Sequence, residues 1–254
     1  MLEALLLILL CQLLGETLVQ LATLPIPGPV LGMLLLLGCY LIALRLYRLA
    51  ASTPLLNPVM VAIALLIGLL WLTDPPYRTY FEGAQFVHFL LGPATVALAI
   101  PLYRQRHRLR ALALPILVAL PVGVAMAGLS AIGLAALFGA EPAILQSLAP
   151  KSVTAPVAMG ISEKIGGIPT LTAVLVISTG VVGAVFGTAV LCLLRCQDPA
   201  VKGFALGLSA HGLGTARAFQ INATMGAFAG LAMALSAFAT ALLLPPLLSW
   251  IGLS

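Results

Sequence analysis

In the stretch PKSVTAPVAMGIS, Pro150 to Ser162, Lys151, the hydroxyls of Ser152 and Thr154, and a second proline interrupt an otherwise apolar run. A lysine at membrane depth costs about 2.5–3.5 kcal/mol on insertion scales unless it snorkels, pairs or faces water. One reading has Lys151, Ser152 and Thr154 lining a wet cavity, with the helix broken by Pro150 and Pro156, because irregular backbone at that depth must face protein or water. The other has Lys151 at a segment end, reaching the interface. A second constellation, SAHGLGTAR, holds Ser209, His211, Thr215 and Arg217 around Gly212 and Gly214. The two glycines let the chain leave the helix or let another backbone approach closely, and a half-helix starting near Thr215 would offer unpaired N–H groups to an anion. Arg217 adds bidentate carboxylate recognition. His211 is then a ligand donor or proton carrier, or else a packing histidine.

A third interruption, LLGPATVALAIP, supplies Gly92, Pro93 and Thr95, either as part of the same cavity or as a kinked packing helix. Glu82, Gln85 and His88 recur at three-residue spacing and share a helix face, so Glu82 and His88 join His211 as proton-coupling candidates beside the alternative of solvated interfacial groups. Asn222 and the pair Glu163 and Lys164 read as cap or loop groups. No HExxH, Walker loop, nucleophile elbow or cysteine metal pattern occurs. The expectation is therefore a protein that is not an enzyme, with no cofactor and no metal.

These residues sit among elements of one kind. Of 254 residues 62% are hydrophobic and 7% charged, which makes the chain an integral membrane protein. Apolar runs reach the roughly 18–20 residues that a helix needs to cross about 30 Å of hydrocarbon. They fall at about Glu3 to Ala22, Val30 to Leu46, Pro58 to Leu72, Gln85 to Tyr103, Ala111 to Phe138, Ile168 to Leu194 and Met225 to Leu248. The predicted fold is all-α, a polytopic helical bundle with about 7–9 membrane segments, two or three of them broken or re-entrant. The net charge of +5 lies in short loops, such as the four arginines of YRQRHRLR, and follows the positive-inside bias, so no nucleic acid is expected. That loop counts as cytoplasmic, and so does the N-terminus. If PKSVTAPVAMGIS crossed fully, RCQDPAVK would fall outside; a broken or re-entrant segment removes the conflict. Cys11, Cys39, Cys192 and Cys196 read as buried thiols.

The chain also echoes itself. LGPATVALAI set against PKSVTAPVAM aligns Thr95 with Thr154, and EPAILQSLAPKSV set against DPAVKGFALGLSA pairs the acidic-Pro starts and Ser152 with Ser209. Such echoes suit inverted repeats, with broken helices meeting near the midplane.

From about Leu56 onward, YFEGAQFVHFLLGPATVALAIPLY, LAPKSVTAPVAMGISEKIGGIPTLTAV and GLSAHGLGTARAF resemble LrgB/CidB membrane proteins. QLLGE and LPIPGPVLGMLLL, near the start, resemble LrgA/CidA proteins, although that likeness stops after two helices where the family has about four. The resemblance implies residues 1–50 as an LrgA/CidA-like segment and 51–254 as an LrgB/CidB-like transport domain, a plan similar to plant plastidal glycolate/glycerate transporters. It further implies a bacterial inner-membrane protein that either transports small monocarboxylates or regulates lysis as a holin-like or antiholin-like pore. Convergent interruptions with one lysine and one arginine favour the small anion. The expected partners are the lipid bilayer, a small carboxylate and a second copy in a homo-oligomer, with a dimer favoured.

Overall fold

The computed structural model describes residues 40–50, 53, 56–73, 93 and 96–253. They belong to two compact units, residues 1–97 and 98–254. In the first, residues 40–49 form helix α1 and Pro58–Thr73 helix α2. The buried Asn57 side chain accepts a 2.9 Å hydrogen bond from the Val59 N–H at the start of α2.

The second unit is helical throughout: α3 Ala99–Arg104, α4 Arg106–Ala111, α5 Ala113–Leu137, α6 Pro142–Leu148, α7 Ala155–Lys164, α8 Pro169–Leu193, α9 Pro199–Ile221 and α10 Ala223–Trp250. Helices α5, α8 and α10 are long and apolar enough to cross a membrane. Their outward faces are apolar too, with Leu137, Leu193 and Trp250 each more than 80% exposed. A surface of that kind is stable against lipid and not against water. Cys192 also lies exposed near the end of α8, against the expectation of buried thiols, because none of the described residues covers its face of the helix.

Helices α6 and α7 are too short to cross. At 1.5 Å per residue the 7 residues of α6 and 10 residues of α7 reach roughly 10 and 15 Å, short of the ~30 Å of a bilayer core. They form a hairpin. Leu145 of α6 and Ile161 and Ile165, at the end of α7, share one core cluster with Leu244 and Leu248 of α10, whereas the turn between the two helices reaches Ser236 and Thr240, nearer the middle of α10. The base of this hairpin is stitched by buried hydroxyls. Thr172 Oγ1 donates to Ser162 Oγ at 2.7 Å, and Ser147 Oγ, which donates to the Ala143 carbonyl, accepts the Ile168 N–H at 2.7 Å. Ser147, Ser162 and Thr172 are fully buried, and each pairs, which is the condition for polar atoms in an apolar interior.

Helix α9 is a hairpin as well, broken at Ala210 and His211, whose φ/ψ values of −129°/19° and 41°/−129° are not helical. Past the break the chain doubles back. A Cβ on Gly214 would lie 2.5 Å from the carbonyl oxygen of Leu206, a residue two full turns earlier. Ala218 joins Leu206, Met225 and Ala229 in one cluster, and Phe219 packs on Gly226 at the start of α10. The sequence reading put the new half-helix near Thr215, with Gly212 and Gly214 as breakers. The break comes earlier, at residues without that conformational freedom, and Gly214 takes the other role expected of it, close approach of the two arms.

The two hairpins enter from opposite ends of the unit. The α6–α7 base lies at the C-terminal end of α10, where Gln146 Nε2 donates to the Leu253 carbonyl at 2.6 Å. The α9 base lies at the other end, where Arg108 meets Asp198 at 2.6 Å and Gln105 Nε2 donates to Thr224 Oγ1 at 3.2 Å.

Candidate functional site

Both tips come to rest in the middle third of α10. Pro150, Ser152 and Val153 from the first tip share a small cavity of about 10 Å³ with Leu208 from the second, Ser236 and Thr240 of α10, and Gly128 of α5. That is room for about one water. Ser152, Ser236 and Thr240 are buried, so the cavity has a hydroxyl lining in an apolar unit.

At the second tip His211 is buried and its Nε2 lies 2.9 Å from the Val176 carbonyl oxygen on α8. The ring sits over Gly180, where a Cβ would come within 2.6 Å of its Cε1. Val176 belongs to the cluster formed by Val153 and Ala158 of the first hairpin, so one segment of α8 carries both tips. Thr215 Oγ1 donates to the His211 carbonyl at 2.8 Å, which ties the returning arm to the break, and also faces Met233 Sδ of α10 at 3.9 Å.

Lys151 stands at the first tip, half-buried, with its ammonium 3.3 Å from Ser152 Oγ. Thr154 is the N-cap residue of α7 in extended conformation (φ −61°, ψ 143°), and its side chain makes no capping bond. Pro156 has no N–H, so the first turn of α7 presents the Ala155 and Val157 N–H groups at this tip, without a hydrogen-bond partner among the described residues. Gly212 begins the returning arm of α9 and places a second helix start at the other tip. Among the described residues no three His, Cys, Asp or Glu side chains gather as a metal group would require.

Of the residues singled out from the sequence, Lys151, Ser152, Thr154, His211, Gly212 and Thr215 lie at the two tips. Ser209 does not join them: its side chain is exposed and its hydroxyl donates back to the Ala205 carbonyl at 2.7 Å. Arg217 is buried further down the returning arm, where its Nη1 donates to Gln220 Oε1 at 3.1 Å. Gly214 serves the packing of the arms. Thr95, Gly92, Gln85, His88 and Glu82 lie outside the described residues. Asn222 caps α10, accepting from the Thr224 and Met225 N–H groups at 2.8 and 3.2 Å, as its sequence position suggests. Ser236 and Thr240 were missed. Their i, i+4 spacing in the last apolar run was the available signal, since it puts two hydroxyls on one face.

Comparison with known proteins gives a family match. The model of the LrgB-like family covers residues 36–250. The uncharacterized protein YwbG of Bacillus subtilis (strain 168) is 40% identical over 194 residues, 76% of this chain and 86% of that protein. YxaC of the same organism is 36% identical over 204 residues, 80% of this chain and 88% of its own length. The antiholin-like protein LrgB of Bacillus cereus (strain B4264) is 32% identical over 224 residues, 88% of this chain and 97% of that protein. No solved structure matches the chain.

Proposed function

The chain belongs to the LrgB-like family of membrane proteins, and on that premise we propose that it is a secondary transporter of small monocarboxylates of the glycolate, glycerate, pyruvate or lactate type, working by alternating access in the bacterial inner membrane. The observation that carries this reading is the meeting of two helical hairpins, entering from opposite ends, at a hydroxyl-lined cavity halfway along α10. Discontinuous helices with their half-helix starts at mid-depth are how secondary transporters hold anionic groups. The carboxylate meets the starts of α7 and of the returning arm of α9 together with Lys151, while Ser152, Thr154 and Thr215 read the hydroxyl or keto oxygen. Arg217 supports the returning arm, and His211 is the proton-coupling candidate of this site.

The repeat pattern supports the same reading. Helices α5 and α8 each have 25 residues, and each is followed by a hairpin opening on an acidic residue and proline. One constant spacing separates Glu141 from Asp198, Pro142 from Pro199, Ser152 from Ser209 and Thr154 from His211. Helix-plus-hairpin units of opposite direction are inverted repeats, and exchange of conformation between the two repeats opens the site to one side and then the other. The cavity, sized for one water, corresponds to the closed state, so the tips must part to admit substrate. In this scheme the N-terminus is cytoplasmic, residues 1–50, of which 36–50 also fall within the LrgB-like match, are an LrgA/CidA-like segment proposed on their sequence alone, and the working unit is a dimer.

The name of the Bacillus cereus relative, an antiholin-like protein, favours a second reading as a regulator of cell lysis. Uptake of labelled glycolate, glycerate and pyruvate into proteoliposomes separates the two. Transport requires saturable, substrate-selective uptake that Lys151→Gln abolishes while membrane insertion persists; release of trapped dye of any charge, unaffected by Lys151→Gln, contradicts it.

A further inference from the structure

A second cavity, far larger than the one at the tips, opens between α5 and the first arm of α9. It measures about 350 Å³ and is lined by apolar side chains, with Ile116 and Ala119 on one wall, Ala205 and Leu208 on the other and Phe228 of α10 at its back. That volume lies in the range of small-ligand sites. It stays open because α5 and α9 touch along only a short stretch, whereas α9 and α10 pack closely. One end of the groove, at Leu112, Ala200 and Val201, adjoins the basic segment of α3 and α4. There Arg108 is held by Asp198, two residues before Ala200, while Arg104, Arg106 and Arg110 are exposed. Arg106 lies over the exposed ring of Tyr103, 5.1 Å from its centroid, an aromatic and cationic pair of the kind found at headgroup level.

We propose that this groove is a binding site for one anionic phospholipid, an acyl chain lying between α5 and α9 and the phosphate resting among Arg104, Arg106 and Arg110. The occupant follows from the two ends. An apolar trough between a membrane-spanning helix and the arm of a hairpin beside it takes a hydrocarbon chain, and the exposed arginines of the segment adjoining its end, with Asp198 already paired, take a negative headgroup. A zwitterionic lipid satisfies the trough but not the mouth, and a soluble anion satisfies the mouth but not the trough. Leu208 gives the site a consequence, since the same side chain walls both this groove and the cavity at the tips.

The test uses the full chain purified in detergent and exposed to phosphatidylglycerol or phosphatidylcholine of identical acyl chains, with retained lipid counted by native mass spectrometry. Phosphatidylglycerol should be retained at least about fivefold over phosphatidylcholine, on the order expected for one or more arginines at a headgroup. The combined change Arg104→Gln, Arg106→Gln and Arg110→Gln should bring the two lipids level. Ala205→Trp, or Ala119→Phe from the opposite wall, should remove both, with helicity and melting temperature recorded so that only folded protein is scored. Equal retention of the two lipids by the unaltered protein, a preference that survives loss of the arginines, or retention unchanged by both groove-filling variants overturns the proposal. None of these readouts depends on transport, so they stand apart from the uptake experiment.

Discussion

His211 donates from Nε2 to the carbonyl oxygen of Val176 across 2.9 Å, and this bond fastens the tip of one hairpin to the middle of α8. A carbonyl can only accept, so the ring nitrogen facing it carries the hydrogen. The bond holds a residue whose backbone, at φ 41° and ψ −129°, occupies a region that favours glycine. Such a conformation costs about 1–3 kcal/mol in a side-chain-bearing residue and persists where surrounding contacts enforce it.

Two substitutions separate the ring from the backbone. His211→Ala and His211→Gly both lose the bond to Val176, but only glycine relieves the φ. The glycine variant should melt higher than the alanine variant by the equivalent of about 1 kcal/mol, and both should lose substrate uptake. Equal melting of the two would show that the backbone at this tip carries no strain.

Asp198 works at the opposite end of the same hairpin, capping α9 through the Ala200 and Val201 N–H groups while it pairs with Arg108. Desolvation pushes its carboxyl up, but the Arg108 hydrogen bond, the two backbone N–H donors and the guanidinium charge outweigh that and hold it below its ordinary value. The unfolded chain then binds the proton more tightly than the folded one. The contribution is complete above the ordinary aspartate range and is lost as pH falls through it towards the lowered native value. Apparent melting temperature should therefore drop in the unaltered protein between about pH 5 and about pH 3, and drop less in Asp198→Asn. At neutral pH Asp198→Ala should cost about 1 kcal/mol more than Asp198→Asn, because asparagine still caps the helix.

Close packing of α9 on α10 makes a third test. A Cβ on Gly207 would overlap the Ala229 backbone carbonyl, which cannot move aside as a flexible side chain can, whereas a Cβ on Gly133 of α5 meets nothing within 4 Å. Alanine is the better helix former at both positions by about 1 kcal/mol. Gly133→Ala should therefore leave thermal stability level or raised, while Gly207→Ala should lower it by about 1–3 kcal/mol through overpacking. Equal responses would mean that the α9 arm is not seated on α10.

Much of this arrangement is legible in the sequence, and the exceptions have physical causes. The spans of α5, α8 and α10 follow from uninterrupted apolar runs, and the proline-lysine turn at Lys151 follows from the cost of burying charge. The break in α9 was displaced by a few residues because Gly212 and Gly214 are the expected helix breakers. The chain instead turns at Ala210 and His211, which local propensity would not select, and uses Gly214 where two arms touch. The hydroxyls of Ser147, Ser162 and Thr172 escaped notice because their pairing joins three helices, and nothing local in the sequence marks it. Ser236 and Thr240 look like ordinary small residues of a membrane helix until the tips of both hairpins are set beside them.

The central claim is that the two tips form one carboxylate site within the membrane, and a single cysteine tests it most directly. With Cys11, Cys39, Cys192 and Cys196 changed to serine, Ser152→Cys in proteoliposomes should react with a membrane-impermeant maleimide at a rate that saturating glycolate, glycerate or pyruvate reduces by about tenfold or more, as expected for a site closed by bound ligand. Formamide or chloride at the same concentration should not protect it. A thiol that never reacts, or one that reacts equally fast with and without carboxylate, would contradict the account.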